Sequence, residues 1–365
     1  MIEERAVREM LLRRAGALSP MSLDPDGAVR LARRRLTRTG VIGVVAAALL
    51  VVGALSGVRA LDLTEGSTPA IPPPSTTNGR VLFVRHPSED LFTAAADGSD
   101  VRKILDVPVS YPRWSPDGST IAFSLGTYFG FQDQRAAAIH LYTVGADGGE
   151  ITQITKTADG SEFSPSWSPD GARIAVDAER AGTAGISVVD VATGEVTPIT
   201  DNPFGLWDAE PDWSPDGTRI VFVRIRSLPP TSRTALFVVD PDGTDLRRLT
   251  GWALDAGNPS WSPDGSTIVF ADGGSTIPDP VPDAQIYAMD ADGSDLRQLT
   301  DDPDAASYWP SWSPDGTLIV YTRFVFAPPG QPDELFTMRP DGTGNAPLVG
   351  SPDRVENEAD WGVHP

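Results

Sequence analysis

The chain has 365 residues, a formal net charge of −21 and no cysteine. So acidic a body repels phosphate backbones, which argues against nucleic acid as a partner. The missing thiols exclude disulfide frameworks, thiolate metal sites and cysteine nucleophiles.

Charge is unevenly placed. Residues 1–60 hold 10 arginines against 5 carboxylates, whereas the rest holds 19 basic and 45 acidic residues. Residues 1–39 read as a basic stub in which Ala6, Val7, Met10 and Leu11 recur at helical spacing. Val41 to Val58 then runs 18 residues without a charge. As a helix it would reach about 27 Å, close to the thickness of a bilayer's hydrocarbon core. Arg30, Arg33, Arg34, Arg35 and Arg38 precede this run, and Asp62 and Glu65 follow it. That asymmetry predicts a single-pass anchor over residues 40–60, with the stub cytoplasmic and the remainder extracytoplasmic. The alternative is a leader cleaved near Val58-Arg59-Ala60, which would give a secreted protein. Residues 61–79, rich in Pro, Ser and Thr, read as a semi-extended tether.

Residues 80–365 repeat themselves. WSPDG begins at Trp114, Trp167, Trp213, Trp261 and Trp312, and a further tryptophan, Trp361, continues the spacing of about 50 residues. After each WSPDG comes an apolar run such as Thr120–Phe123 or Ile220–Val223. A variable stretch follows, then a second run such as Leu236–Val239 or Ile286–Met289. An Asp-Gly turn and a short segment ending in Ile199-Thr200, Leu249-Thr250 or Leu299-Thr300 complete the unit. β-Branched and aromatic runs between turn residues predict four antiparallel strands, A to D.

The opening unit has candidates for strands B, C and D at Val81–Val84, Leu91–Ala94 and Val101–Leu105, but none for strand A. Asp360-Trp361-Gly362 supplies one at the far end. The fold class expected is therefore all-β: a six-bladed β-propeller of four-stranded blades, closed by strands from both termini.

The WSPDG unit, with its DG turn and terminal LT, resembles the TolB-type, WD40-like (PD40) propeller family over residues 80–363. TolB itself carries an extra N-terminal domain where this chain has the stub, anchor and tether. The resemblance implies a protein- or peptide-binding or scaffold module of the cell envelope. The alternative is a lyase- or lactonase-type propeller enzyme acting on envelope carbohydrate or a lactone.

Catalysis finds little support in the residues. His86, His140 and His364 have no recurring partner, and no G-x-S-x-G or H-E-x-x-H is present. The repeat tryptophans, Trp114, Trp167, Trp213, Trp261, Trp312 and Trp361, are read as packing between blades. Asp240-Pro241-Asp242-Gly243 and Asp290-Ala291-Asp292-Gly293 lack the distal glutamate of a calcium loop and read as hairpin turns. No cofactor is expected, with calcium in the central channel kept as the alternative.

Alternating strand direction puts the short A–B and C–D turns on one face and the long B–C and D–A connections on the other, where function concentrates. Residues leading into the innermost strands are expected to ring the channel mouth on that second face. They include Tyr111, Glu162, Trp207, Asp208, Glu210, Asp255, Trp309, Glu358 and Asp360, the candidate binding set. Carboxylates beside aromatics suit a basic peptide, an amine or a metal ion. On this reading, Glu210→Lys with Asp360→Lys weakens partner capture without lowering the melting temperature.

Overall fold

The computed structural model describes residues 78–126, 139–157, 160–180, 183–202, 205–228, 231–273, 283–325, 334–349 and 355–363. The stub, the anchor and all but the last two tether residues lie outside the described residues. Among those described, no helix is long and apolar enough to cross a membrane.

Among the described residues, six four-stranded antiparallel sheets follow one another. Blade 1 is β24 (Val355–Trp361), β1 (Val81–His86), β2 (Asp90–Ala94) and β3 (Arg102–Leu105). Blade 2 is β4 (Ser110–Trp114), β5 (Thr120–Leu125), β6 (His140–Gly145) and β7 (Thr152–Gln153). In blade 3 the strands are β8 (Gly160–Trp167), β9 (Arg173–Arg180), β10 (Thr183–Asp190) and β11 (Val196–Pro198). Blade 4 uses β12 (Leu206–Trp213), β13 (Ile220–Leu228), β14 (Thr231–Val239) and β15 (Arg247–Arg248). Next come β16 (Ala256–Trp261), β17 (Thr267–Asp272), β18 (Ile286–Asp290) and β19 (Arg297–Gln298) in blade 5. Blade 6 holds β20 (Ala305–Trp312), β21 (Ile319–Val325), β22 (Glu334–Met338) and β23 (Ala346–Val349).

The split unit pairs as the sequence predicts. Val81 stands opposite Trp361 and Leu82 opposite Asp360, and backbone bonds between Gly79, Arg80 and Gly362 extend the seam. The long B–C connection that the unit length predicts over Arg224 to Thr234 in blade 4 is ladder instead, because β13 and β14 prolong their pairing from Arg224↔Ala235 out to Leu228↔Thr231.

Each core cluster is shared between two blades. Trp213 packs with Ala175, Ile186 and Val188 of blade 3, and Trp261 with Val221, Val223, Leu236 and Val238 of blade 4. Trp361 joins Val320 and Leu335 of blade 6, so the last blade is sealed to the first by the same contact. Within blades, buried Phe83, Phe123, Phe222 and Phe270 stack on Phe92, Tyr142, Phe237 and Tyr287 across the B–C pair, at 5.8–6.2 Å between ring centroids. Such cross-strand pairs are the unit of sheet stabilisation.

The repeat motifs are explained by local hydrogen bonds. In the turn after Trp213, the Ser214 hydroxyl donates to Asp216, while the N–H groups of Thr218 and Arg219 donate to Asp216 and Ser214. The terminal threonines also have one job. Thr155, Thr200, Thr250 and Thr300 each accept, on Oγ1, the N–H of the strand-C residue 14 positions earlier, at 2.8–3.0 Å. Asp242 and Asp292 accept N–H groups from Thr244 and Ser294, as hairpin turns require.

Candidate channel-mouth site

The innermost strand of every blade carries a β-bulge just before its tryptophan. The third residue before each tryptophan takes a positive φ of 48–54°: Tyr111, Ser164, Glu210, Asn258, Trp309 and Glu358. None is glycine, although this region disfavours side chains. The backbone device recurs six times, but its side chain never settles on one type. Architecture explains the device, while the side chain it carries differs from blade to blade.

Two tiers of residues line the axis. The bulge residues Tyr111, Ser164, Glu210, Asn258 and Trp309 form one, and Arg113, Asp212, Ser260, Ser311 and Asp360, one position before their tryptophans, form the other. The space they enclose is a cavity of about 50 Å³, room for a few waters or an ammonium head and too little for a peptide backbone. A large ligand would therefore rest on the mouth and send only a side-chain tip inward.

Glu210-Pro211-Asp212-Trp213 in blade 4 and Glu358-Ala359-Asp360-Trp361 in blade 1 make the same contacts three blades apart. Glu210 Oε2 accepts the N–H of Asn258 at 2.7 Å, and Glu358 Oε2 that of Tyr111 at 2.6 Å. Asp212 Oδ2 accepts the N–H of Trp261 at 2.7 Å, and Asp360 Oδ2 that of Trp114 at 2.8 Å. Ser166 and Ser311 donate to Asp212 and Asp360, both at 3.1 Å. Each Glu-x-Asp pair thus clasps the next blade's inner strand through two backbone donors.

Burial dominates the ionisation of this region. It pushes Asp177 and Glu358 up to about 7 and Asp212 up to about 6. The Ser164 hydroxyl opposes the shift at Asp177, and the Tyr111 N–H and the Arg113 charge oppose it at Glu358. Burial, then the Glu358, Glu210 and Asp177 carboxylates, hold the Tyr111 phenol well above its ordinary value. Asp177 Oδ1 is buried without a hydrogen-bond partner.

Of the residues expected at the mouth, Tyr111, Glu210, Trp309 and Asp360 line the channel, and Glu358 joins them through the clasp to Tyr111. Trp309 also packs against Phe324 at 5.6 Å. Trp207 is 37% exposed on the end of β12 that faces the mouth. Three carboxylates are engaged away from this lining. Glu162 is fully buried, taking hydrogen bonds from the hydroxyls of Thr155 (2.8 Å) and Thr157 (2.7 Å), with His140 Nδ1 at 3.2 Å. Asp208, 1% exposed, is bidentate with Arg224 at 2.6 and 2.8 Å, and Arg224 also donates to Asn202. Asp255 pairs with Arg233 and accepts the Thr234 N–H at 3.1 Å.

These engagements correct one expectation. Lysine at Glu210 and Asp360 would break two clasps, so that double change is expected to lower the melting temperature. Sequence reasoning also missed Arg113, Asp212 and Asp177. The signal for Asp212 was the paired E-P-D-W and E-A-D-W, and for Asp177 a lone carboxylate closing the apolar run Ile174-Ala175-Val176. Among the described residues, no group of three or more His, Asp or Glu is arranged to hold a metal ion.

The family model described as TolB beta propeller domain matches residues 74–364. A curated relative, the Tol-Pal system protein TolB of Alcanivorax borkumensis, is 33% identical over 116 residues, 30% of this chain and 25% of that protein. The match thus spans a quarter of that relative's length. The crystal structure of TolB from Acinetobacter baumannii superposes with a TM-score of 0.60 at 23% identity, covering 78% of this chain and 66% of that one. A chain of a nidogen/laminin complex reaches 0.58 at 11% identity over 77% of this chain and 97% of its own, a likeness of fold alone.

Proposed function

We propose, for a chain that belongs to the TolB β-propeller domain family, a binding or scaffold role in the cell envelope exercised at the channel mouth. The observation that carries this reading is the ring of six bulges with one backbone shape and side chains of five kinds, two of the six being glutamates and two aromatic. A repeat that served stability alone would have little reason to vary there. The partner this mouth suits is a protein or peptide that offers a cationic side chain to Glu210, Glu358 and the Tyr111 and Trp309 rings. The similarity to a protein of the Tol-Pal system supports an envelope setting. Residues 40–60 are proposed to hold the propeller at the membrane on its extracytoplasmic side, as their apolar run and flanking arginines favour.

The test uses isosteric neutralisation. Glu210→Gln with Glu358→Gln keeps an oxygen to accept the Asn258 and Tyr111 N–H groups while removing both charges. Full-length wild type and double variant are compared as baits on a solubilised envelope fraction, at a temperature where the melting curves of both show them fully folded. A protein retained by the first and lost from the second is expected. Equal recovery by both would sink the mouth as the binding site.

A further inference from the structure

The turn face of the propeller, opposite the mouth, is built from repeated contacts, and one junction departs from them. Where blades 3 to 6 meet, the glycine of each WSPDG turn sits over the proline of the preceding turn. A Cβ on Gly217 would lie 3.7 Å from Pro169, on Gly265 3.3 Å from Pro215, and on Gly316 3.8 Å from Pro263. Between blades 2 and 3 the equivalent Gly171 faces open space. A groove of about 580 Å³ lies at that junction, lined by Pro116, Asp117, Thr120, Trp167, Asp170 and Val191 among others.

Trp167 forms part of this lining and is only half-buried, whereas the other five repeat tryptophans are 5–8% exposed. The next two junctions display what lies on such a ring. Arg173, six residues after Trp167, places its guanidinium 4.9 Å from the Trp213 ring centroid. Arg219, six after Trp213, lies 4.8 Å over Trp261. Six residues after Trp114 stands Thr120, which is too short to cover Trp167. Thr267 stands at the same position before Trp312, yet Trp312 is 8% exposed and its turn is closed by Gly316 on Pro263. A missing arginine alone therefore does not open a junction. Blade 2–3 combines the missing arginine with splayed turns.

We propose that this groove is a docking site for an arginine side chain of a protein partner, whose guanidinium lies over Trp167 as Arg173 lies over Trp213. Charge favours that occupant. Among the described residues the groove is lined by Asp117 and Asp170 and by no cationic side chain. Hydrogen bonds from Ser115 and Ser119 hold the Asp117 carboxyl below its ordinary value, and those from Ser168 and the Ala172 N–H do the same for Asp170, so both are charged at neutral pH. A planar, weakly hydrated guanidinium stacks on an indole face better than an ammonium does. The site sits on the other end of the strands from the mouth and stands or falls independently of it.

The experiment is fluorine NMR on the full chain labelled with fluorotryptophan, the Trp167 resonance being assigned by its loss in Trp167→Phe. The probe is acetyl-Gly-Arg-Gly-amide, with the lysine peptide and the neutral, isosteric citrulline peptide as controls. The Trp167 resonance is expected to move saturably with the arginine peptide, less with lysine and not with citrulline. Thr120→Arg is expected to move it without peptide and to weaken peptide binding at least about tenfold. An equal response to citrulline overturns the proposal, as does undiminished binding to Thr120→Arg. So does a resonance unmoved at about 100 mM peptide, roughly three times the ~30 mM constant to which about 2 kcal/mol of stacking corresponds. The peptide comparison needs no variant, so it decides the matter even if Thr120→Arg does not fold.

Discussion

The turn face repeats its WSPDG turn five times and the channel lining its bulge six times, yet they repeat different things. On the turn face both backbone and side chains recur: Ser115 and Asp117 return as Ser168 and Asp170, Ser214 and Asp216, Ser262 and Asp264, and Ser313 and Asp315, with the same hydrogen bonds. In the lining the backbone recurs without the side chain, as Tyr111, Ser164, Glu210, Asn258, Trp309 and Glu358 attest. Recurrence of both marks the parts that make the ring. Recurrence of backbone alone marks the places where the ring is free to differ.

The comparison breaks first where packing is removed. Trp261→Ala deletes an indole shared by blades 4 and 5, and is expected to cost about 3–5 kcal/mol in denaturant unfolding. A cost below about 1 kcal/mol would mean that the repeat tryptophans do not hold blades together. Smaller is the loss of one buried acceptor. Thr250→Ala leaves the Leu236 N–H unpaired inside blade 4, and about 1–2 kcal/mol is expected. Thr250→Ser, which restores the hydroxyl, should recover most of it.

In the lining the sign reverses. Burial raises the Glu358 carboxyl to about 7, so the native state holds a proton that the unfolded chain has released above its ordinary 4.5. Stability from this group is therefore greatest below the lower value and is lost as pH rises between the two. Asp177 and Asp212 act in the same direction, between 3.8 and about 7 or 6. The turn aspartates, lowered by their serine and threonine partners, act oppositely and only below about 4. The melting temperature should thus be higher near pH 5 than near pH 8. Glu358→Gln should raise it at pH 8 by the equivalent of about 1 kcal/mol, allowing for solvent screening, and change it little at pH 4. A pH-independent difference would remove burial as the cause. The smallest effect on stability belongs to Trp207→Ala. At 37% exposure it should shift unfolding by less than about 0.5 kcal/mol while reducing partner capture at the mouth.

How much of this was legible in the chain depends on counting. The spacing of WSPDG and the bare tryptophan at 361 were enough for blade number and closure, because a closed ring admits few alternatives. The mouth was less legible for a single reason. Glu162 and Asp208 stand two residues before the ring positions Ser164 and Glu210, so strict alternation puts all four on one face. The bulges between Phe163 and Ser166 and between Ala209 and Asp212 shift the register there. An extra residue in one strand reverses the facing of everything beyond it. Glu162 and Asp208 accordingly turn into the body of the propeller, where His140 with Thr155 and Thr157, and Arg224, receive them. No local signal announced the bulge, since its residue is tyrosine, serine, glutamate, asparagine or tryptophan in turn.

Blade 1 is assembled from the two ends of the propeller sequence, Val81–Leu105 and Val355–Trp361. A ribosome therefore delivers five whole sheets before the strand that completes the first one. Until β24 arrives, the ladder positions of Val81 to His86 stay open to any strand that passes, including one from another chain. Nascent molecules held close together would be prone to exchange that strand, whereas dilution or a holding chaperone would favour each molecule completing itself.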